Sequence, residues 1–342
     1  MSRDTLYVTN GNSNNISMFT IEAGGGLELV ASVETPARPR GIVFTGGVAH
    51  VVNSGVPLVS TYRVGPGGEL TPLGRAVQTD TDPFGIAASP HGDAVYVTSL
   101  EDKTVSAFPV RDDGTLAPAT ASVVVGDGSL SPRGVAVSTD GRYVFVGTGD
   151  PGDDRKGHLT TFAVGVEHRL ERRSAVELGP AAFGVGVSPD GRFLYAACAG
   201  NDEIRPFRIG LGGRLLPLPV ALAPDFPVAA EVSPDGRRLF VTSPALDGGA
   251  SKGLWVFRID VDGTLHAGSH TPTGNAPVWP AILPDGRRLY VSNEDTSGEV
   301  FGFDVAADGG LTPLPGSPFP AGGEFSQFQS AAVTFSRRSG DG

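Results

Sequence analysis

The sequence predicts an all-β fold: a seven-bladed β-propeller of four-stranded antiparallel blades, closed by pairing of the C-terminal strand with the N-terminal strands. Three observations carry this. An aromatic residue, once a histidine, recurs at Tyr7, His50, Tyr96, Phe145, Tyr195, Phe240 and Tyr290, with spacings of 43 to 50 residues. A turn leucine recurs independently at Leu27, Leu70, Leu116, Leu170, Leu215, Leu265 and Leu311. Both markers count seven units of the size that propeller blades take. No stretch longer than two turns carries a helical period.

Within a unit the chain reads as inner strand, tight turn, second strand, third strand and outer strand. The turn phrase is Ser188-Pro189-Asp190-Gly191-Arg192, repeated as Ser233-Pro234-Asp235-Gly236-Arg237 and varied at residues 89–92, 138–141 and 283–286. Proline presets the first corner, aspartate tolerates the second, and glycine takes the positive φ that follows. In the clearest unit, strands are expected over 184–188, 193–198, 203–209 and 215–222. The chain starts on a second strand at residues 5–10 and ends on a segment, 329–336, that reads as an inner strand. Pairing these two removes an open sheet edge. One domain is therefore expected over 1–336, with 337–342 a frayed tail.

Composition limits the function classes. Of 342 residues, 49 are Gly and 28 Pro, and they punctuate short apolar runs as turn residues do. The formal net charge of −11 argues against nucleic acid and against an anionic membrane surface as partners. Cys198 is the only cysteine, which excludes an intrachain disulfide and a CxxC metal site. No apolar leader or long apolar span is present, so a cytoplasmic monomer acting on a small molecule is expected. No metal or other cofactor is called for by any spacing.

The candidate site follows from blade geometry. Links into each inner strand and links from second to third strand share one face with the mouth of the central channel. Two of these links are long: 150–158, which ends at His158, and 247–252, a glycine-rich segment that could act as a lid. The bland reading of both is a solvated loop. Counting back five places from the turn serine gives Arg40, Phe84, Arg133, Phe183 and Val228, with Val278 by the same rule and Trp279 one place on. Cations and aromatic faces at one mouth suit a small organic anion with a ring portion. Alternatively, the aromatics pad contacts between blades. Glu231 stands where other inner strands carry Val43, Ala87, Ala136, Gly186 and Ala281. It is a candidate general acid or base, or else a structural hydrogen bond or a salt bridge to Arg40 or Arg133. His158 is the one histidine near the proposed face.

Tyr7-Val8-Thr9-Asn10, Tyr96-Val97-Thr98-Ser99 and Tyr290-Val291-Ser292-Asn293 resemble the YVTN repeat of bacterial propellers. With the two turn phrases, they make the chain similar to the seven-bladed lactonase family of 6-phosphogluconolactonases and carboxy-muconate cycloisomerases. The resemblance implies lactone hydrolysis or ring-forming isomerisation, with Arg40 and Arg133 as anion binders. The family's Pro-Arg-His phrase reads Pro39-Arg40-Gly41 and Pro132-Arg133-Gly134 here. Its Ala-Glu-Ile phrase corresponds to Ala229-Ala230-Glu231-Val232, with the carboxylate displaced. Trp279, Phe183 or Phe84 would stack on the substrate, and Glu231 or His158 would move the proton. A propeller that binds a ligand or partner without turnover is the alternative.

Overall fold

The computed structural model describes residues 4–223, 225–244, 252–294, 298–324 and 333–336. Its strands form seven antiparallel sheets; six run from an inner strand outward in chain order, and in blade 1 the inner strand comes from the far end of the chain. Blade 1 holds Thr5–Asn10, Asn15–Ile21 and Leu27–Glu34, with Val333–Ser336 as its inner strand. The inner strands of blades 2 to 7 are Pro39–Thr45, Pro83–Ala88, Pro132–Val137, Ala182–Val187, Glu231–Val232 and Pro277–Ile282. Val333–Ser336 runs antiparallel to Thr5–Asn10, with Val333 opposite Val8 and Ser336 opposite Thr5. The remainder of the expected closing segment, 329–332, and the tail 337–342 lie outside the described residues. Among the described residues the only helical turns are two three-residue 3-10 turns, and no helix is long and apolar enough to cross a membrane.

The expected outer strand over 215–222 is broken into Leu215–Pro217 and Ala221–Leu222. Pro217 and Pro219 offer no N–H to a ladder, so the strand interrupts where they fall. Blades 2 and 7 break their outer strands in the same way, after Pro72 and Pro313.

Turn phrases that keep both the serine and the aspartate fold into the same small network. Ser188 Oγ donates to Asp190 Oδ1 at 2.5 Å, the Arg192 N–H donates to that carboxylate at 3.0 Å, and the Phe193 N–H donates to Ser188 Oγ at 2.9 Å. Ser233 and Asp235 repeat it. The serine and aspartate recur because side-chain oxygens must satisfy the N–H groups that a tight turn strands.

Among the described residues the apolar interior forms seven layers, one for every pair of neighbouring blades, and an eighth cluster at the channel mouth. Blades 1 and 2, for example, bury Tyr7, Met18, Ile42 and Val51 together. Blades 7 and 1 bury Tyr290, Val300, Leu6 and Phe19, so the ring closes through side chains as well as backbone. The recurring aromatics are the largest members of these layers, and removing such a side chain from water is worth about 2–3 kcal/mol.

The tyrosines also reach across each interface to a polar target. Tyr7 Oη donates to the Gly68 carbonyl at 2.7 Å, Tyr195 to Gly263 at 3.3 Å, and Tyr290 to Gly25 at 2.7 Å. Each acceptor lies in the outer hairpin turn of the following blade, two residues before the turn leucine. Gly25 has φ +87, a conformation that an L side chain rarely adopts, and that turn aims its carbonyl at the tyrosine. Blade 4 places His168 there instead, at φ +59, and the Tyr96 hydroxyl facing it has no hydrogen-bond partner among the described residues. Where the aromatic is Phe145, Thr161 Oγ1 on the third strand donates to the Gly213 carbonyl in its place, at 3.4 Å.

His50 occupies the aromatic position in blade 2, fully buried between Thr45 Oγ1 at 2.7 Å and Thr61 Oγ1 at 3.3 Å. Burial pushes its pKa down to about 4. Because the folded value lies below the unfolded one, the neutral ring contributes stability above pH 6.5 that is lost as pH falls towards 4.

Two outcomes follow for stability. Tyr290→Phe strips the closing interface of its hydrogen bond and costs about 1–2 kcal/mol in urea unfolding; an unchanged midpoint would remove that bond from the closure. His50→Phe flattens the stability profile between pH 6.5 and 4, where wild type loses about 3 kcal/mol to this one ring, as followed by unfolding midpoints across that range.

Candidate functional site

The mouth residues sit in a repeated irregularity of the inner strands. In blades 2, 3, 4, 5 and 7 two consecutive residues oppose one on the second strand: Arg40-Gly41, Phe84-Gly85, Arg133-Gly134, Phe183-Gly184 and Val278-Trp279. Such a bulge bends the strand and re-aims its side chains. The second bulge residue faces the neighbouring blade at close range. A Cβ at Gly134 would stand 2.3 Å from the Phe183 carbonyl oxygen, so glycine is what lets adjacent inner strands meet around the channel.

The first bulge residues form a stacked arc. The Arg40 guanidinium lies 4.9 Å from the Phe84 ring centre, and Arg133 lies 5.3 Å from Phe84 and 4.8 Å from Phe183. Phe183 tilts against Phe226 at 5.6 Å and joins Val228 and Val278 in an apolar cluster, with Trp279 at its margin. Phe84 and Phe183 are 7% and 3% exposed. The stacking expected of them is therefore spent on arginines and apolar neighbours, and it is half-buried Trp279 that keeps surface for a ligand. Val228 is held by its N–H on the Thr242 carbonyl, ahead of a blade 6 inner strand that is only two residues long.

The two arginines are held differently. Arg133 donates from Nε to the Gly149 carbonyl at 2.8 Å and from Nη2 to Asp150 at 3.4 Å. Arg40 has Asp82 at 3.9 Å, yet its Nε and Nη1 are buried without a hydrogen bond among the described residues. Burial lowers the pKa of Arg40, opposed by Asp82 and Glu294 and reinforced by Arg38. Burial likewise lowers that of Arg133, opposed by Asp150 and Asp82, while Arg40 lowers it further. Both guanidiniums stay charged, since arginine titrates far above neutrality. The mouth thus holds two like charges over one ring, with carboxylates at its edge.

Glu231 lies three residues further along the inner strands, about 10 Å deeper at strand rise. By surface area its side chain is exposed, yet surrounding protein atoms enclose its carboxyl closely enough to desolvate it. That enclosure alone raises its carboxyl pKa to about 7, with no charged group contributing. A salt bridge to Arg40 or Arg133 is therefore not formed. His158 is not brought to the mouth. It begins the third strand, opposite Glu177 on the outer strand and two strands out from Arg133, which is about 10 Å at sheet spacing. Being in a link on the mouth face did not bring its ring to the axis.

Sequence reasoning passed over Glu294 and Asp82. Glu294 is 8% exposed at the start of a second-to-third link in blade 7 and acts electrostatically on Arg40. Neither belongs to the repeat; an acidic residue at the edge of a link beside an arginine bulge was the signal available. Of the link 247–252, only Lys252 is among the described residues, so the proposed lid lies outside them. Among the described residues no three His, Cys, Asp or Glu side chains cluster as a metal site. Cys198 is buried, with its thiol pushed up to about 12 by burial, which leaves it no thiolate for nucleophilic attack at neutral pH.

Comparison with known proteins matches residues 8–225 to the family described as lactonase, 7-bladed beta-propeller. The 6-phosphogluconolactonase of Yersinia enterocolitica is 24% identical over 172 residues, 50% of this chain and 48% of that protein. That of Klebsiella pneumoniae is 30% identical over 148 residues, 42% and 43% of the two chains. The matched region thus spans about half the length of these curated relatives. A Bacteroides fragilis structure superimposes with TM-score 0.83 at 22% identity over 98% of both chains. The Pseudomonas aeruginosa periplasmic gluconolactonase does so with 0.79 at 23%, over 98% of this chain and 99% of that one. At these identities the structural likeness speaks for the fold, and the family match for descent: the chain belongs to the seven-bladed β-propeller lactonase family.

Proposed function

We propose that this propeller opens the ring of a small lactone that carries a phosphate or carboxylate, at the mouth of its central channel. The observation that carries the reading is Arg40, two of whose buried nitrogens find no acceptor among the described residues, where an anion would supply one. Relatives named 6-phosphogluconolactonase support a sugar-acid lactone as the substrate class. In this reading Arg40 and Arg133 hold the anion, Trp279 packs on the ring, and the lactone carbonyl extends down the channel towards Glu231. Water adds to the acyl carbon, its proton passes to the Glu231 carboxylate, and the ring C–O bond breaks. The proton then moves to the departing alkoxide, giving a hydroxy acid. A pKa near 7 suits both halves of that exchange. Ring-forming isomerisation would use the same anion site.

A binding function without turnover is the second reading. It is favoured by Glu231 having no titratable partner and by the outward position of His158.

Two measurements separate these readings. Lactone opening by wild type should rise with pH through a midpoint near 7 and fall by roughly 100-fold or more in Glu231→Gln, in keeping with loss of a general base. No turnover above blank on a panel of phosphorylated and carboxylated lactones leaves only the binding version. Arg40→Gln should raise KM roughly tenfold or more with a smaller change in kcat, since it removes charge-assisted hydrogen bonds to a non-reacting group. An unchanged KM takes Arg40 out of the site.

A further inference from the structure

The opposite face of the ring, where the Ser-Pro-Asp-Gly turns lie, carries a second concave feature. Blades 6 and 7 are adjacent, and both end the turn phrase in paired arginines, Arg237-Arg238 and Arg287-Arg288; blades 4 and 5 have Arg142-Tyr143 and Arg192-Phe193. The members of each pair behave differently. Arg238 pairs with Asp235 at 3.6 Å and donates to the Ala307 carbonyl of the next blade. Arg288 donates to the Ala23 carbonyl at 2.6 Å and to the Glu22 carbonyl at 3.3 Å, across the closing interface. They lie beside Gly309 and Gly25 as Tyr143 and Phe193 lie beside Gly213 and Gly263, so the second arginine is an inter-blade brace.

The first arginine is left over. Arg237 and Arg287 are exposed, and among the described residues neither guanidinium has a hydrogen bond or an ion pair. Both line one groove of about 550 Å³, whose other walls include Pro234, Pro284 and Val305. Its carboxylates are engaged: Asp235 accepts from Ser233 Oγ at 2.6 Å and from the Arg237 N–H at 3.0 Å, and Asp285 accepts from the Arg287 N–H at 2.9 Å. The result is two unengaged guanidiniums facing one cavity in a chain of net charge −11.

We propose that this groove binds a phosphate monoester of a small polyol, separately from the channel mouth. A phosphoryl dianion offers enough oxygens for two guanidinium forks at once, which a single carboxylate does not. The volume exceeds a bare phosphate, and Asp285 and Ser233 in the lining offer oxygens to the hydroxyls of the organic part. The inner strands separate this groove from the mouth by about 20 Å at strand rise.

The test uses glycerol 3-phosphate, with inorganic phosphate and glycerol beside it, in calorimetric titration of the full chain. It is run in an Arg40→Gln/Arg133→Gln background so that the mouth does not contribute. Saturable binding of glycerol 3-phosphate is expected there. Adding Arg237→Gln and Arg287→Gln should weaken it by roughly tenfold or more, consistent with losing charge-assisted hydrogen bonds. Both residues are exposed, so an unshifted unfolding midpoint certifies the fold. Absence of saturable binding, or equal affinity with and without the two arginines, overturns the proposal. Equal affinity for inorganic phosphate overturns its polyol part. Lactone opening by the Arg237→Gln/Arg287→Gln variant should match wild type, so a failure here and a failure of the mouth's proposed activity are read separately.

Discussion

The structure depends on how one blade seizes the next. From the second strand of each blade a large side chain enters the layer shared with its neighbour, and in three blades a tyrosine hydroxyl ends on a carbonyl in the neighbour's outer turn. Packing supplies most of the energy in these layers, and the hydrogen bond fixes the register, because a buried hydroxyl without an acceptor is costly. Where the hydroxyl is missing, a threonine on the third strand or an arginine after the turn covers the same spot. The contact is therefore a place in the structure that several residue types can fill, and it sets the separation of neighbouring blades at their rim.

This explains what the sequence made legible. Seven markers could be counted because a large ring on the second strand, four times a tyrosine, and the turn leucine meet one requirement in every blade. The doubled outer strands were missed, although Leu215-Leu216-Pro217-Leu218-Pro219 contained the reason in its prolines. At the mouth, counting from the turn serine located Arg40 and Arg133, since the bulge falls at a constant distance from the turn. What the count could not convey was direction. It took Phe84 and Phe183 for ligand-facing rings, whereas the bulges turn them under the arginines. It took His158 for a mouth residue, because a link can lie on the right face while its last side chain belongs to an outer strand. Glu294 and Asp82 obey no period, and a repeat-based reading has no means of finding them.

Charge is distributed unevenly over this acidic chain. A set of aspartates in turns and links accepts backbone N–H groups, as Asp140, Asp190 and Asp235 do. Arginines stand at the mouth, as Arg40 and Arg133 do, on the turn face, as Arg237 and Arg287 do, and along third and outer strands, as Arg63, Arg172 and Arg258 do. At the mouth they stand close enough to depress one another, a cost that the cation–π contacts and edge carboxylates offset. Glu231 is the exception in kind: an acid whose pKa desolvation raises with no charged group contributing.

The joint between blades 3 and 4 carries one local fault, a Tyr96 hydroxyl with no hydrogen bond among the described residues. In an open stack of sheets such a fault would be a natural place to part. A closed circle behaves otherwise, because no single seam can gape unless a second one yields at the same moment. Each seam is therefore guarded by the other six, and separation at any one awaits failure somewhere else on the circumference.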